Sequence, residues 1–337
     1  MRVEQNYSLE PHNTFRLPVR TRWFMEYDNE EELSRILRDD FFQSTASLSI
    51  GEGSNLLFIN DFDGIIIHSL IKGITVVENT TDSVLLRVGA AAHWDDVVEY
   101  AVSKGWGGIE NLSNIPGEAG AAAIQNIGAY GVEIKDVIET VEAINQLTGK
   151  KYFFTNDDCR YGYRHSFFKE TDHAPFIITA IRLRLLSAPQ FRMDYGNLKV
   201  ALKGREVTLQ TIRDTITEIR RSKLPDPDKL GNAGSFFMNP VIPLSQFNDL
   251  QNRYPTIPFY PAPENRVKIP AAWLIEQCGY KGKREGNVGI YEKQALILVN
   301  HGGAAGAEIA TFANKIQQAV QEKFGIRLES EVKLIRN

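Results

Sequence analysis

The most informative stretch of the sequence reads Ile115-Pro-Gly-Glu-Ala-Gly-Ala-Ala-Ala-Ile-Gln-Asn-Ile-Gly-Ala-Tyr130. Its many glycines and alanines let main chain lie directly against a large flat ligand or a diphosphate, because little or no side chain stands in the way. Close packing between two elements of the protein would also select Gly and Ala. Gln125, Asn126 and Tyr130 add polar groups to the run, however, and a buried packing surface would leave them unsatisfied. The pattern therefore favours contact with a ligand.

A second glycine-rich segment, Gly51-Glu-Gly-Ser-Asn55, directly follows the apolar run 46–50. Backbone N–H groups in such a turn can approach a phosphate, because no Cβ blocks the way. The segment lacks the Gly-Lys-Ser/Thr of a P-loop, and Leu56 stands where a dinucleotide fingerprint needs its third glycine. Taken alone, the segment favours a tight surface turn over a phosphate site.

Two further segments carry reactive side chains. The run Cys159-Arg-Tyr-Gly-Tyr-Arg-His-Ser-Phe-Phe-Lys169 interleaves cations with aromatic rings, which suits a carboxylate or phosphate, or a solvated loop anchored by its aromatics. Gly231-Asn-Ala-Gly-Ser-Phe-Phe-Met-Asn-Pro240 presents Ser235 after a glycine. Ser235 has no base beside it and no Gly-x-Ser-x-Gly around it, so a hydrolase triad is not indicated.

Near the C-terminus, Leu328-Glu-Ser-Glu-Val332 places Glu329 and Glu331 two residues apart. On a strand both would face the same side. Surface carboxylates are the default interpretation of such a pair.

Composition limits the classes of function. The 337 residues suffice for two or three domains at about 100–200 residues each, and the net charge of −4 offers no general attraction for nucleic acid or an anionic membrane. Two cysteines, Cys159 and Cys278, exclude a disulfide framework. The six histidines show no ligand spacing, so no metal site is expected. Residues 1–7 resemble no signal peptide and no run reaches about 18 apolar residues, so we expect a soluble cytoplasmic protein.

Periodicity predicts alternating helices and strands. Helices are predicted over 29–37 with Asp28 as N-cap, 95–102, 208–221, 271–278 and 307–324. Strands are predicted over 46–50, 64–70, 176–185, 295–299 and 326–335, with hairpins at 74–77/84–88 and 137–144/151–154. Leu224-Pro-Asp-Pro227 cannot continue a helix and predicts a boundary.

Taken in order, the segments resemble one family, the bacterial UDP-N-acetylenolpyruvoylglucosamine reductases. The matching segments extend over nearly the whole chain: Asn13-Thr-Phe-Arg16, Gly51-Glu-Gly-Ser-Asn-Leu-Leu-Phe58, 115–131, Cys159-Arg-Tyr-Gly-Tyr-Arg164, Lys223-Leu-Pro-Asp-Pro227, Gly231-Asn-Ala-Gly-Ser-Phe-Phe237 and Leu328-Glu-Ser-Glu-Val332. The resemblance implies an α+β protein, with a two-subdomain FAD-binding fold of the vanillyl-alcohol oxidase (PCMH) type and a C-terminal α+β substrate-binding domain. It implies subdomains at 1–72 and 73–205, the latter joined by a strand in 326–337, and a substrate domain at 206–325.

The resemblance also implies a reaction. Members of the family reduce the enolpyruvyl ether of UDP-N-acetylglucosamine to UDP-N-acetylmuramate for peptidoglycan, with non-covalently bound FAD as cofactor and NADPH as co-substrate. The implied partners are therefore the UDP-sugar and NADPH, with no nucleic acid, membrane or obligate protein partner.

Roles carry over residue by residue. Arg164 matches the family's catalytic arginine, Ser235 its proton donor and Glu331 its catalytic glutamate. The positions implied to bind FAD are Gly51, Gly53, Ser54, Asn55, Ile115, Pro116, Gly117, Gly120, Gln125, Asn126, Gly128, Ala129 and Tyr130.

Substrate contacts are implied as well. Arg192-Met-Asp-Tyr-Gly-Asn-Leu198 looks like the extra loop of one form of the family, which makes Tyr195 a lid residue over the UDP part. Lys223 and Arg220 would face the diphosphate, and Asn239 is a further substrate contact. Met238 departs from the pattern, because relatives often carry a basic residue there, which puts a local phosphate or nicotinamide contact in doubt.

Two other hypotheses compete with this one. An oxidase of the same FAD superfamily would act on an alcohol or lactone, but such enzymes often tether flavin through His or Cys, and neither glycine-rich segment contains either residue. A non-catalytic nucleotide-sugar-binding protein is the other alternative. The joint presence of Arg164, Ser235 and Glu331 argues against it, because a site that has lost catalysis need not keep all three.

Overall fold

A computed structural model describes residues 1–170, 175–194 and 196–336. The chain divides into two compact units. Unit 1 comprises Met1–Tyr7, Thr21–Glu52 and Asp63–Ser222, and unit 2 comprises Ser8–Arg20, Gly53–Phe62 and Lys223–Asn337. The domain boundaries given above are not tested by this division and remain a proposal.

The described residues form nine α-helices. They are α1 Glu30–Leu37, α2 Asp40–Gln43, α3 Trp94–Ser103, α4 Ala119–Gln125, α5 Leu198–Ala201, α6 Leu209–Lys223, α7 Leu244–Arg253, α8 Ala271–Gln277 and α9 Gly306–Phe324. Of these, α1, α3, α6, α8 and α9 begin and end within two residues of the predicted bounds, while α2, α4, α5 and α7 were not predicted. The five predicted helices are confirmed. One detail is wrong, because the N-cap of α1 is Asn29 rather than Asp28. The Asn29 side chain accepts the N–H of Glu32, which satisfies one of the free donors of the first turn.

The strands are mostly short. They are β1 Arg2–Ser8, β2 Arg20–Tyr27, β3 Ser47–Ile50, β4 Leu56–Phe58, β5 Phe62–Ser69, β6 Ile74–Asn79, β7 Ser83–Gly89, β8 Gly128–Ala129, β9 Val132–Glu133, β10 Ile138–Asn145, β11 Lys151–Thr155, β12 Phe176–Leu186, β13 Gly231–Asn232, β14 Val241–Pro243, β15 Tyr260–Ala262, β16 Arg266–Lys268, β17 Arg284–Glu285, β18 Val288–Ile290, β19 Leu298–Asn300 and β20 Lys333–Ile335.

Unit 1 is built around an antiparallel sheet in the order β11-β10-β12-β7-β6. Both predicted hairpins are confirmed as neighbours in this sheet, β6 with β7 and β10 with β11. The long strand β12 lies at its centre, and helices α3 and α4 add Trp94, Val98 and Ala123 to the buried core of the sheet. A second sheet has the order β1-β2-β5-β3, with β3 parallel to β5.

Unit 2 contains a sheet in the order β13-β19-β18-β17 and a smaller one in the order β14-β16-β15. Two strand predictions are wrong here. The strand predicted at 295–299 is Leu298–Asn300, and the one predicted at 326–335 is only Lys333–Ile335. The alternation in 326–332 instead reflects an extended segment whose pairing is limited to an isolated bridge at Ser330. The strand β20 pairs in parallel with β4, not with the 73–205 sheet.

The structure confirms the α+β class, since helices and mainly antiparallel strands occur in both units. Over the residues described, no helix is both long and apolar enough to cross a bilayer.

Candidate functional site

The first half of the 115–130 stretch packs tightly inside unit 1. The N–H groups of Ala119 and Gly120 donate to the carbonyls of Ala92 and Ala90 at 2.9 Å. A Cβ on Gly120 would lie only 2.9 Å from that of Ala90. The small residues at this end are therefore explained by close approach of two backbones.

Asn126 also has a structural explanation. Its side chain is fully buried, its Nδ2 donates to the carbonyl of Gly162 at 2.7 Å, and its Oδ1 accepts the N–H of Lys135 at 3.2 Å. The amide thus has protein partners on both sides. The argument that its polarity needs a ligand fails for this residue, and a contact between Asn126 and FAD stays a prediction.

The second half of the stretch is more open. Gln125, Gly128, Ala129 and Tyr130 are all half-buried, and the Gln125 side chain has no hydrogen bond to another described residue. Nearby in sequence, the buried Oδ1 of Asn111 has no hydrogen-bond partner among the described residues. Unsatisfied buried polar atoms are rare in folded proteins. The half-buried Gln125 amide, rather than the inaccessible Asn111 oxygen, is therefore the group at this end of the stretch that suits a ligand with donors and acceptors along a ring edge, such as a flavin.

Arg164 is brought to the same place. Its Nη2 donates to the carbonyl of Gly128 at 2.8 Å and its Nη1 to the carbonyl of Asn126 at 3.5 Å. A Cβ on Gly128 would lie 3.0 Å from Nη1 of Arg164 and 2.9 Å from Cγ of Glu133. The lack of a side chain at Gly128 thus leaves space for the guanidinium.

A second guanidinium, Arg220 on α6, belongs to this cluster. Its Nε donates to the carbonyl of Asn114 at 3.0 Å. Burial lowers the pKa of Arg220, and the positive charge of Arg164 lowers it further, while burial raises the pKa of the Tyr130 hydroxyl. Two half-buried cations beside Tyr130 form a place where an anionic group is favoured.

The residues that hold α6 at this cluster were missed by sequence reasoning. Arg213 binds Asp95 through both Nη atoms, at 2.7 and 2.9 Å, and the N–H of Asn114 also donates to Asp95. Although burial alone would raise it, the hydrogen bond from Arg213 holds the pKa of Asp95 below its ordinary value. No local pattern pairs an acid on α3 with an arginine on α6.

Acidic groups surround Gly51 in unit 1. A Cβ on Gly51 would lie 2.7 Å from Oε2 of Glu118. Burial, together with the charge of Glu118, raises the pKa of Glu52. Glu118 is itself buried and lies 3.4 Å from Nε2 of His68, whose Nδ1 lies 3.0 Å from Glu26. The sequence signal for this network was Glu118, the one charged residue within the glycine-rich run.

In unit 2, the Gly53–Asn55 turn adjoins the C-terminal segment. Gly53 has φ +70°, and a Cβ there would lie 2.0 Å from the carbonyl oxygen of His12, so only glycine fits. The Nδ2 of Asn55 donates to the carbonyl of Glu331 at 3.1 Å. The N–H of Lys333 donates to the carbonyl of Asn55 at 3.1 Å.

Ser235 and Glu331 are brought together by backbone pairing in unit 2. Phe237 and Ser330 form an isolated antiparallel bridge, and the N–H of Glu331 donates to the carbonyl of Phe236 at 2.8 Å. The rings of Phe236 and Phe237 are buried, whereas Ser235 and Glu331 are half-buried. Two side chains far apart in the sequence thus lie on adjacent paired segments.

The remaining predicted positions are placed as follows. Asn239 is half-buried, and its Oδ1 accepts the N–H of Ala271 at the start of α8, at 2.8 Å. Lys223 is exposed at the end of α6, and Tyr195 lies outside the described residues. Pro116 is exposed, Ile115 and Ser54 are half-buried, and Gly117 is buried. In the described ranges no group of three or more His, Cys, Asp or Glu side chains is arranged to hold a metal ion.

Two family models match the chain. The model of a FAD binding domain matches residues 22–151. The model of the UDP-N-acetylenolpyruvoylglucosamine reductase C-terminal domain matches residues 226–335. The FAD-binding domain and the C-terminal domain expected from the sequence are therefore both confirmed.

Curated relatives match the chain from end to end. A UDP-N-acetylenolpyruvoylglucosamine reductase from Porphyromonas gingivalis is 52% identical over 337 residues, covering 99% of this chain and 100% of the relative. One from Bacteroides fragilis is 47% identical over 334 residues, again covering 99% and 100%. The crystal structure of the UDP-N-acetylenolpyruvylglucosamine reductase from Thermus caldophilus matches with a TM-score of 0.68 at 23% identity, covering 100% of both chains. At that identity the structural match supports the fold.

Proposed function

Because the chain belongs to the UDP-N-acetylenolpyruvoylglucosamine reductase family, we propose that it performs the family's reaction, the NADPH-dependent reduction of the enolpyruvyl ether of UDP-N-acetylglucosamine to UDP-N-acetylmuramate. The product is the lactyl ether used in peptidoglycan synthesis. The observation that carries this proposal is the full-length identity of 52% to a reductase of that name, together with the match to a FAD binding domain. We place the reaction in the cytoplasm, as the sequence predicts.

Bound FAD would supply the hydride-transfer chemistry between NADPH and the β-carbon of the enolpyruvyl group. We assign its binding to the 51–55 and 115–130 segments, at the positions predicted from the sequence. The amide of Gln125 is half-buried, suits a flavin edge and lacks a hydrogen-bond partner among the described residues. FAD would therefore satisfy a polar group that the protein leaves unsatisfied.

Arg164 is assigned the stabilisation of negative charge. Hydride addition to the β-carbon leaves negative charge on the α-carbon, delocalised as an enolate into the carboxylate of the substrate. A guanidinium already oriented by the carbonyl of Gly128 needs little reorganisation to receive that charge. Preorganised donors of this kind are worth about 3–4 kcal/mol of barrier each. Arg220 adds a second positive charge to the same cluster and, with Lys223 and Tyr195, is assigned to the UDP part.

Ser235 is assigned the proton that the α-carbon must receive. A serine hydroxyl is a weak acid, but the carbanion it meets is a strong base, so transfer is feasible when the two are aligned. Glu331 would orient the substrate by hydrogen bonds from the neighbouring paired segment, and Asn239 would contribute a further contact. The antiparallel bridge between Phe237 and Ser330 supports this division of roles, because it keeps Ser235 and Glu331 on adjacent segments.

The proposal is tested by measuring the absorbance of the bound flavin during its reduction and reoxidation. We expect the purified protein to be yellow, to bleach anaerobically with NADPH, and to be reoxidised by the enolpyruvyl sugar. A protein that cannot be loaded with FAD would contradict the flavoenzyme assignment. Bleaching by NADPH without reoxidation by the enolpyruvyl sugar would contradict the assigned substrate.

A serine pair tests the proton donor. Ser235→Ala should retain reduction of the flavin by NADPH but lose about 10²–10⁴-fold in turnover, the contribution of a positioned acid. Ser330→Ala is the matched control, since Ser330 lies in the paired segment and its hydroxyl donates to the carbonyl of Val332 at 2.7 Å. Equal losses in both variants would remove Ser235 from the mechanism.

A further inference from the structure

Asn111 lies at the junction of two segments that the proposed function assigns to different ligands. Its side chain is completely buried in unit 1. Its Nδ2 donates to the carbonyl of Tyr130 at 2.9 Å and to the carbonyl of Arg192 at 2.8 Å. Tyr130 ends the proposed flavin stretch, and Arg192 begins the 192–198 segment. The Nδ2 of Asn111 is therefore hydrogen-bonded to the backbone of both segments.

The orientation of the amide follows from its partners. Both neighbours are carbonyl oxygens, which only accept hydrogen bonds, so the NH₂ group must face them. The Oδ1 then points away and has no partner among the described residues. A serine at this position is too short to donate to both carbonyls, and it would leave at least one of them unsatisfied in the interior.

The two joined segments also share apolar neighbours. Tyr130 and Met193 both pack against a buried cluster formed by α5, α6 and the residue after α5, namely Leu198, Leu202, Ile212 and Ile216. The Arg192 side chain is held separately, by an ion pair of 2.7 Å with Asp136. The backbone position of Arg192 thus depends on Asn111, while its side chain has an anchor of its own.

We propose that Asn111 is a positioning residue that couples the proposed flavin stretch to the proposed substrate segment. This inference rests on the proposed function, because that function assigns Tyr130 to FAD and the 192–198 segment to the UDP-sugar. The tie fixes the start of the substrate segment relative to the backbone of Tyr130. Loss of the tie should weaken capture of the UDP-sugar much more than it slows the chemistry at saturation.

Steady-state kinetics of the FAD-loaded enzyme provide the first test. In Asn111→Ser the KM for the enolpyruvyl sugar should rise about tenfold, the effect of one buried hydrogen bond, while kcat falls less than about threefold. The flavin absorbance per protein should match that of the wild type. A KM within about twofold of the wild-type value would overturn the proposal.

Asn156→Ser is the matched control. Asn156 also donates from one Nδ2 to two carbonyls, those of Lys135 and Ile138, at 2.7 Å each. These residues flank Asp136, so the control also reveals indirect effects through the ion pair with Arg192. We expect a similar loss of thermal stability in this variant but an unchanged KM. An equal rise in KM in both variants would show general loosening and overturn the proposal.

Proteolysis gives a readout that does not depend on turnover. Arg192 is exposed, so trypsin can cut after it once the local backbone opens. Cleavage at this bond, followed by mass spectrometry, should be about tenfold faster in Asn111→Ser than in the wild type or Asn156→Ser. Equal cleavage rates would contradict the tie. If no variant or wild type turns over the UDP-sugar, the proposed function has failed, and the cleavage rates still decide the role of Asn111.

Asn111→Gln guards against a serine variant that does not fold, because it keeps an amide donor at slightly greater reach. We expect its KM to lie about threefold above wild type, with Asn156→Gln unchanged. An equal rise in KM in Asn111→Gln and Asn156→Gln, or a raised KM in Asn111→Gln with wild-type cleavage at Arg192, would overturn the proposal.

Discussion

Arg164 in unit 1 and the pair Ser235–Glu331 in unit 2 are held in place by different means. The guanidinium of Arg164 is fixed by its own hydrogen bonds, to the carbonyls of Gly128 and Asn126. Ser235 and Glu331 are placed by main chain, through the bridge between Phe237 and Ser330 and the hydrogen bond from Glu331 to Phe236. In the first case the proposed catalytic side chain itself makes the hydrogen bonds that position it. In the second the backbone does the positioning.

In unit 2 the groups that hold the local structure differ from the side chains proposed to react, whereas in unit 1 the Arg164 side chain does both. A substitution at Ser235 should remove the proposed proton donor and leave the backbone pairing intact. A substitution at Arg164 should remove a charge and also free two backbone carbonyls. Variants of the two sites should therefore differ in stability as well as in rate.

Arg164→Lys gives the largest effect expected from this comparison. Lysine keeps the charge but lacks the planar fork that reaches the carbonyl of Gly128, so the charge is misplaced. We expect kcat to fall about 10²–10³-fold. The melting temperature should also fall, unlike that of Ser235→Ala.

Arg160→Lys is the control for that variant, because Arg160 is exposed and pairs with Glu170 at 2.7 Å. Its turnover should stay within about twofold of the wild-type rate. Wild-type turnover in Arg164→Lys would show that any cation suffices at this position.

Two glycine variants test the same difference between unit 1 and unit 2, with a smaller expected loss of activity than Arg164→Lys. In Gly128→Ala the new Cβ would lie 2.9 Å from Cγ of Glu133 and 3.0 Å from both Nη1 of Arg164 and the carbonyl oxygen of Val132, so these neighbours, the guanidinium among them, must give way by a few tenths of an ångström. Since a displacement of about 1 Å at a catalytic group can cost about 10²-fold in kcat, we expect a loss of about tenfold here. Gly234→Ala, before Ser235, meets no atom within 4 Å, although its φ of +67° strains an alanine by about 1–2 kcal/mol.

The two outcomes are measured by turnover and by thermal melting. Gly234→Ala should lose stability but keep most of its kcat, and Gly128→Ala should lose mainly kcat. The reverse pattern would contradict the view that side-chain contacts position Arg164 and main chain positions Ser235.

A cluster of charged side chains around Glu142, on strand β10 of the unit 1 sheet, allows the electrostatic part of the stability of that unit to be measured. Glu142 is buried. It accepts hydrogen bonds from Arg87 and Arg182 and forms an ion pair with Lys151. These cations hold the pKa of Glu142 at about 2, against the effect of burial. Glu142→Gln should lower the free energy of unfolding by about 2 kcal/mol, because the cations are partly exposed and can be rehydrated.

Denaturant titration near pH 7 measures that loss, with Glu139→Gln as the control on the same strand, since Glu139 is more exposed. A lowered carboxyl pKa contributes stability above the ordinary pKa of glutamate and loses it as pH falls through about 2. The difference between wild type and Glu142→Gln should therefore shrink on acidification. A difference that is independent of pH would contradict the charge argument.

The smallest expected effect is the pH dependence of the His68 network. Burial alone would lower the pKa of His68, but hydrogen bonds to Glu118 and Glu26 raise it. A raised histidine pKa stabilises the fold fully below the unfolded value of about 6.5, and the contribution is lost as pH rises through the folded value. As the pH rises above 6.5, the melting temperature of the wild type should therefore fall more steeply than that of His68→Gln.

Glu26 limits the stability of the same network at low pH. Burial would raise its pKa, yet the hydrogen bonds from His68 and Arg2 lower it, so its contribution is lost as pH falls below the ordinary range. The network should stabilise unit 1 most between about pH 4.5 and 6.5. Melting temperatures of wild type and His68→Gln that stay parallel as the pH rises above 6.5 would contradict the assignment.

The errors in the predicted elements share a cause. Residues 326–335 alternate like a strand, but only Lys333–Ile335 finds a partner strand, Leu56–Phe58. Residues 295–299 are apolar enough for a strand, yet pairing begins only at Leu298 with β18 and at Val299 with β13. A strand exists only where a neighbour supplies hydrogen bonds, and the neighbour is not part of the local pattern. Helices close their own hydrogen bonds, which explains why the five predicted helices are confirmed.

The sequence by itself determined the α+β class, both hairpins of the unit 1 sheet, the family, and Arg164, Ser235 and Glu331 as candidates. Residue types in order are sufficient for these, because turn residues, periodicity and motif spacing are local. Only the tertiary structure decided that protein atoms satisfy Asn126, that Gly120 is small because Ala90 is close, and that Asn111 joins Tyr130 to Arg192. Which carbonyl meets a buried amide depends on how distant segments pack, and no local pattern carries that information.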